Sequence, residues 1–277
     1  MPFTGYTANP ATFARVAEEI GFDSLWVPEH PVYPAHPRTE FPGKGQIPEV
    51  YSQMADQIVA LSMAAAATEK LKLATGVCLV AEHNPMTLAK RIATLDRFCG
   101  GRVILGVGAG WLREESELLG VDFPRRWSQT AECIGAMREL WSKPEASFDG
   151  RWIKFPAIRC EPKPALQTGP PVVLGSRMRG ALRRVAQWAD GWCPLGLAPE
   201  EMKAQLVQLR AECEAAGTIF DRLEISVVTS VKGDRSRVQE IVSEYAKAGV
   251  HRLVVGWRTL GPEEFRTELE RLASLYL

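Results

Sequence analysis

The sequence carries no surplus of charge of either sign: 33 lysines and arginines face 33 aspartates and glutamates. A balanced chain lacks the basic field that draws proteins to nucleic acid or to anionic membranes, so neither partner is expected. Paired cysteines are also missing. The six (Cys78, Cys99, Cys133, Cys160, Cys193 and Cys213) are scattered, none in a C-x-x-C pair, and most stand in apolar runs. There a free thiol acts as a small hydrophobe. No disulfide framework or zinc site is expected, and a reducing cytoplasm fits best. No apolar run approaches the roughly 18 residues of a membrane span, and the start MPFTGYTANP has no basic region followed by an apolar stretch. The expectation is a soluble cytoplasmic protein. A G-x-S-x-G elbow, an H-E-x-x-H helix and a P-loop are absent too, which sets aside three families of hydrolases and NTPases.

What is present is a core and a rhythm. Apolar residues make up 46% of the 277 and charged residues 24%, which suits one domain of barrel size, 1–277. Asn9 and Pro10 supply an N-cap and a first helical residue, and Phe13, Val16, Ala17 and Ile20 form the apolar stripe of the helix that follows. Gly21 ends it, and Ser24–Val27 reads as a short buried strand. Further helices are predicted over 52–68, 84–99, 129–141, 180–189, 199–216, 236–248 and from Pro262. Strands are predicted over 71–77, 102–108, 172–175, 192–195, 223–231 and 252–257, with a hairpin about Asp149-Gly150. The strands are nearly continuous apolar runs, as parallel strands covered on both faces should be. Seven strand–helix steps result, and an eightfold barrel needs one more. Only Met1–Tyr6 is left to supply it. The predicted fold is therefore an α/β (β/α)8 barrel with a truncated first strand, and a doubly wound open sheet is the rival.

In a barrel, chemistry gathers where strands end. Four places qualify. Pro28-Glu29-His30 opens a proline-rich stretch to Val50 with the length of a lid, and His30 can pass a proton near neutral pH. His36 and Glu40 could be imagined as metal ligands with His30, but no metal-site spacing supports them, so no metal is expected. Thr75-Gly76-Val77 closes the second strand, where a glycine marks a bulge or a close backbone approach. Gly106-Val107-Gly108-Ala109-Gly110-Trp111 has the small residues that let a flat ring or a phosphate near the backbone, but only part of the dinucleotide pattern. Gly175-Ser176-Arg177-Met178-Arg179-Gly180 precedes a helix and suits a phosphate. Glu114, Glu115 and Glu117 read as a solvated helix face.

At these places the chain resembles the luciferase-like monooxygenase superfamily, and within it the coenzyme F420-dependent branch. The resemblance rests on GFDSLWVPEH (21–30), LKLATGV (71–77), NPMTLAKRIATLDRFCGGRVILGVGAGW (84–111), EPKP (161–164), PPVVLGS (170–176) and ADGWCPLG (189–196), in order and at family spacing. It implies a luciferase-like barrel, a non-prolyl cis peptide at Gly76-Val77 supporting a flavin or deazaflavin ring, and His30 as proton donor beside the acidic Glu29. It further implies a cofactor lying along Thr75, Gly76, Val77, Gly108, Ala109, Gly110 and Trp111, its phosphate held by Gly175, Ser176, Arg177, Gly180 and Ala181. Trp111 stands where sugar-phosphate dehydrogenases of that branch carry a glutamate, and its indole suits an uncharged or unsaturated substrate better. The expected activity is hydride transfer between F420 and a small organic substrate in a homodimeric enzyme. The alternatives are an FMNH2-dependent two-component monooxygenase and a catalytically silent flavin-binding protein.

Overall fold

The computed structural model describes all 277 residues except Lys44 and Trp257. Helix α1 (Pro10–Ile20) starts as predicted: the Asn9 side chain accepts from the N–H of Ala11 and Thr12, and Gly21 closes it in the left-handed region at φ 107°. Strand β1 (Ser24–Val27) follows. Helix α2 (Gln57–Ala66) begins later than the predicted 52, because Asp56 caps it through the Val59 N–H; residues 49–52 form a separate single 3-10 turn after Pro48. Strand β2 (Lys72–Thr75), helix α3 (Pro85–Phe98, capped by Asn84) and strand β3 (Val103–Val107) complete the first half.

A short helix α4 (Arg113–Leu118) and helix α5 (Arg126–Ser142) lead to the antiparallel hairpin of β4 (Ala146–Asp149) and β5 (Lys154–Ile158). The rhythm then resumes with β6 (Val172–Leu174), α6 (Ala181–Trp188), β7 (Gly191–Trp192) and α7 (Pro199–Ala216). Strand β8 (Glu224–Val228), α8 (Arg235–Ala248), β9 (Arg252–Val254) and α9 (Phe265–Tyr276) finish the chain. Strands β2, β7 and β8 end earlier than predicted, at Thr75, Trp192 and Val228, and β9 ends at Val254. The predicted end of β9, Trp257, lies outside the described residues.

Seven parallel strands run in the order β1-β2-β3-β6-β7-β8-β9, a nearly closed barrel with the helices outside. Its interior is filled by Trp26, Ala74, Ile104, Val173 and Cys193, with Val228 and Val254 packed against them, so the barrel is a core and not a pore. Strands β2 and β3 meet closely at Gly106. A Cβ there would stand 2.0 Å from the Thr75 carbonyl oxygen and 3.2 Å from the Trp26 ring. Backbone cannot rotate away as a side chain does, so Gly106→Ala is expected to destabilise the fold by about 3 kcal/mol or more, toward the upper end of overpacking costs. Urea unfolding reads this directly; an unchanged midpoint would contradict the close approach.

The eighth strand is not formed. Pro2 has no N–H to donate and Thr4–Thr7 already close a turn, with the Thr7 N–H donating to the Thr4 carbonyl. The segment instead runs across the barrel wall. The Met1 amine is buried and donates to the Trp26 carbonyl at 2.6 Å, and Phe3 packs edge-on against Phe13. Between β1 and β9 a groove of about 680 Å³ remains, lined by Phe13, Trp26, Val254, Leu260 and Leu269 among others. In the same groove, the Arg252 guanidinium bonds Asp23 at 2.7 Å and also Glu224. Side chains thus close the wall where a strand would close it with backbone.

Candidate active site

The four places selected from the sequence lie at the carboxyl ends of β1, β2, β3 and β6, which are consecutive in the sheet, so they share one mouth. Val77 joins them. A Cβ on Gly108 would stand 2.5 Å from one Val77 methyl, and a Cβ on Gly175 would stand 2.4 Å from the other. Only glycine allows this wedge on both sides. The Gly76-Val77 peptide is cis, as the resemblance implies. Ala109 is buried, Gly110 is in the left-handed region (φ 76°) with its carbonyl bonded by Arg126 Nε at 3.1 Å, and Trp111 is half-buried. The buried Thr75 hydroxyl donates to the Gly106 carbonyl at 2.7 Å and ties β2 to β3.

Across the mouth, the Ser176 hydroxyl accepts from the Met178 N–H at 3.1 Å, and the Ser176 carbonyl accepts from the Trp192 indole at 2.7 Å. Gly180 caps α6 with φ 78°, Ala181 is buried and Arg177 is exposed. The helix start therefore presents N–H groups beside a hydroxyl and an exposed arginine, the donor set a phosphate needs.

His30 has the partner that the sequence reading missed. Its Nδ1 lies 2.6 Å from Glu115 Oε2, and the two side chains are only 5% and 1% exposed. The reading of Glu114-Glu115 as a solvated face is thus overturned, although Glu117, half exposed at 52%, does meet solvent. The physical reason is α4's position. It starts directly after the β3 loop, so its first turn faces the mouth, and the lid covers it. Glu114 pins that lid, accepting from the N–H of Arg38 at 2.8 Å and Thr39 at 3.2 Å and from the Thr39 hydroxyl at 2.6 Å. The Thr39 hydroxyl, followed by these backbone donors, holds the Glu114 carboxyl down at about 2.

Beneath His30 lies a buried polar layer. Glu29 Oε1 accepts from the Leu79 N–H at 2.5 Å, and both its oxygens lie 3.1 Å from His83 Nε2. Burial opposes charging His83, but Glu29 outweighs it and raises the imidazole above its ordinary value. Glu82 Oε1 accepts from the Ser116 hydroxyl at 2.6 Å. Burial pushes the Glu82 carboxyl up to about 8; the Ser116 hydroxyl opposes the rise, and the Glu115 and Glu29 carboxylates add to it. Among the described residues, Glu29, Cys78 and His83 form the one group whose ligand atoms lie within 4.8 Å of one another. The contacts of Glu29 with His83 hold these two together, and the buried Cys78 thiol lies beside them. His36 and Glu40 are exposed and are not gathered with His30.

Glycine-lined strand ends and a buried histidine–carboxylate pair thus meet at one barrel mouth. The profile of the luciferase-like monooxygenases matches residues 6–271, and the chain belongs to that family. An uncharacterized protein of Mycobacterium tuberculosis (strain ATCC 25618 / H37Rv) is 36% identical over 274 residues, covering 96% of this chain and 93% of its own. The FMNH(2)-dependent dimethylsulfone monooxygenase of Pseudomonas putida is 32% identical over 155 residues, 55% of this chain and 42% of that protein. In structure, the coenzyme F420 dependent tetrahydromethanopterin reductase from Methanopyrus kandleri superposes with a TM-score of 0.75 at 18% identity, over 96% of this chain and 93% of that one. The fold is shared at that level.

Proposed function

We propose that the protein is an F420-dependent oxidoreductase acting on a small organic substrate. The observation that carries this reading is Val77, whose two methyls sit where a Cβ of Gly108 or Gly175 would stand, at the same barrel mouth as the His30–Glu115 pair: a bulge on which a flat ring can rest, with a proton-transfer group at that mouth. When bound, the cofactor supplies the hydride chemistry. The chain supplies the rest. Gly76, Val77, Gly108 and Ala109 support the ring system, and Gly175, Ser176, Arg177 and the start of α6 hold its phosphate. His30 exchanges a proton with the substrate while Glu115 fixes the imidazole, leaving Nε2 as the nitrogen that reacts. The lid, latched by Glu114, excludes water.

A second reading, an FMNH2-dependent monooxygenase, is favoured by the similarity to the FMNH(2)-dependent dimethylsulfone monooxygenase. Both cofactors present a tricyclic ring and a phosphate. F420 is placed first because the buried His30–Glu115 pair suits paired proton and hydride movement. Titrating the purified protein with oxidised and reduced F420 and FMN is expected to give micromolar or tighter binding of F420 and weak binding of FMN. Tight FMN binding with oxygen consumption would reverse the order, and binding without turnover would mark a silent flavin-binding protein.

A further inference from the structure

We propose that the mouth is built for a flat, uncharged aromatic substrate, and that Phe41 of the lid holds that substrate's place until the lid lifts. This rests on reading the mouth as the active site. Three rings surround His30: Tyr51 at a centroid distance of 5.1 Å, Trp111 at 5.7 Å and Tyr33 at 6.3 Å. Phe41 descends from the lid onto two of them, 5.3 Å from Tyr51 and 5.6 Å from Trp111, inclined by 74° and 65°. Tyr51 and Trp111 themselves stand 5.9 Å apart at 82°. These distances and inclinations are edge-to-face contacts, an arrangement aromatic rings favour. Two rings held this way frame a slot for a third ring, and Phe41 fills it.

Phe41 is seated from the outside as well. A Cβ on Gly43 would stand 2.5 Å from the Phe41 ring, so the lid backbone lies directly against it. The Glu114 latch grips Arg38 and Thr39, three and two residues before Phe41, so releasing the latch moves the ring.

The chemistry of the slot selects its occupant. Glu115 beside the rings is already bonded to His30, while the Arg38 side chain is 91% exposed. Among the described residues, no arginine lies over the ring of Tyr33, Phe41, Tyr51 or Trp111, so an anion finds no stacked cation there. A cation prefers ring faces turned on one point, and these rings meet edge to face. An aromatic substrate reproduces the contacts that Phe41 gives up, which makes the exchange of one ring for another nearly balanced.

The test needs neither cofactor nor turnover. Binding of phenol, cyclohexanol, benzoate and choline would be measured by calorimetry on the whole protein and on Phe41→Ala, Phe41→Leu and Glu114→Gln. Phenol is expected to bind Phe41→Ala and Phe41→Leu at least about tenfold more tightly than the parent, because the resident ring is gone, and Glu114→Gln several-fold more tightly. The other three probes should remain weak throughout. Equal phenol binding by the parent and both Phe41 variants would overturn the proposal, as would equal or tighter binding of cyclohexanol, benzoate or choline. Phe41→Leu and Glu114→Gln carry the test if Phe41→Ala fails to fold. Parallel titration with F420 and FMN separates the two readings: cofactor binding without phenol binding removes only the aromatic slot, and phenol binding without either cofactor removes only the redox assignment.

Discussion

Replacing Glu115 with alanine is expected to lower turnover by about 10²–10⁴-fold, the range associated with a positioned proton-transfer group. The effect runs through His30. Glu115 accepts at 2.6 Å from His30 Nδ1, fixing both the tautomer and the ring, and it stabilises the imidazolium that forms when Nε2 takes a proton. His30→Ala should lower turnover to a similar level while leaving cofactor affinity within a few-fold of the parent, since Val77, Gly108 and Gly175 remain in place. Residues that act as a unit do not add. The double variant should therefore be no slower than His30→Ala alone. Steady-state rates with the cofactor identified by titration decide the matter. Unchanged turnover in Glu115→Ala would remove the pair from the mechanism, and multiplicative losses in the double variant would show that the two act separately.

Glu82→Gln is expected to tilt the dependence of stability on pH. Between pH 4.5 and 8 the folded chain keeps a proton on Glu82 that the unfolded chain has lost, so Glu82 makes the native state less stable as pH rises through that window. The Met1 amine acts in the opposite sense. Burial lowers it from 8.0 to about 5, so between pH 5 and 8 the unfolded chain holds the extra proton and stability rises with pH. Each shift corresponds to an upper limit of about 4–5 kcal/mol at 1.36 kcal/mol per unit. In the parent protein the two slopes offset each other. Glutamine mimics the protonated carboxyl and can still accept from Ser116, so the variant keeps only the rising slope. Urea unfolding from pH 5 to 8 should show Glu82→Gln gaining about 2–4 kcal/mol relative to the parent across that range. A flat difference between the two proteins would mean that Glu82 is ionised in the folded state at neutral pH.

The parts of the molecule legible in the sequence are those fixed by neighbours along the chain. Asn9-Pro10 and Asn84-Pro85 announce helix starts because a cap acts over three residues. Gly76, Gly108 and Gly175 mark strand ends because only glycine tolerates the approach they make, and order along the sheet then brings them together. Glu115 was illegible for the opposite reason. Its six-residue helix α4 resembles any solvated run of glutamates until the lid, more than 60 residues earlier, folds over it. Phe41, Tyr51 and Trp111 likewise meet only through the lid's return path, and nothing in their spacing announces a contact. The resemblance supplied the cis peptide and pointed to His30, but not the carboxylate behind it.

The amino end of the chain is a built part of the barrel wall. Its amine sits against the Trp26 carbonyl and faces the groove between β1 and β9. An affinity handle fused ahead of Met1 would convert that amine into an amide, and the added peptide would have to leave through the wall beside the interior packing. Leu277 at the other end lines the same groove but is 59% exposed, so a peptide added there meets solvent. Handles for purification, labelling or surface immobilisation belong there, and a preparation tagged at the amino end reports on a barrel whose seam has been altered.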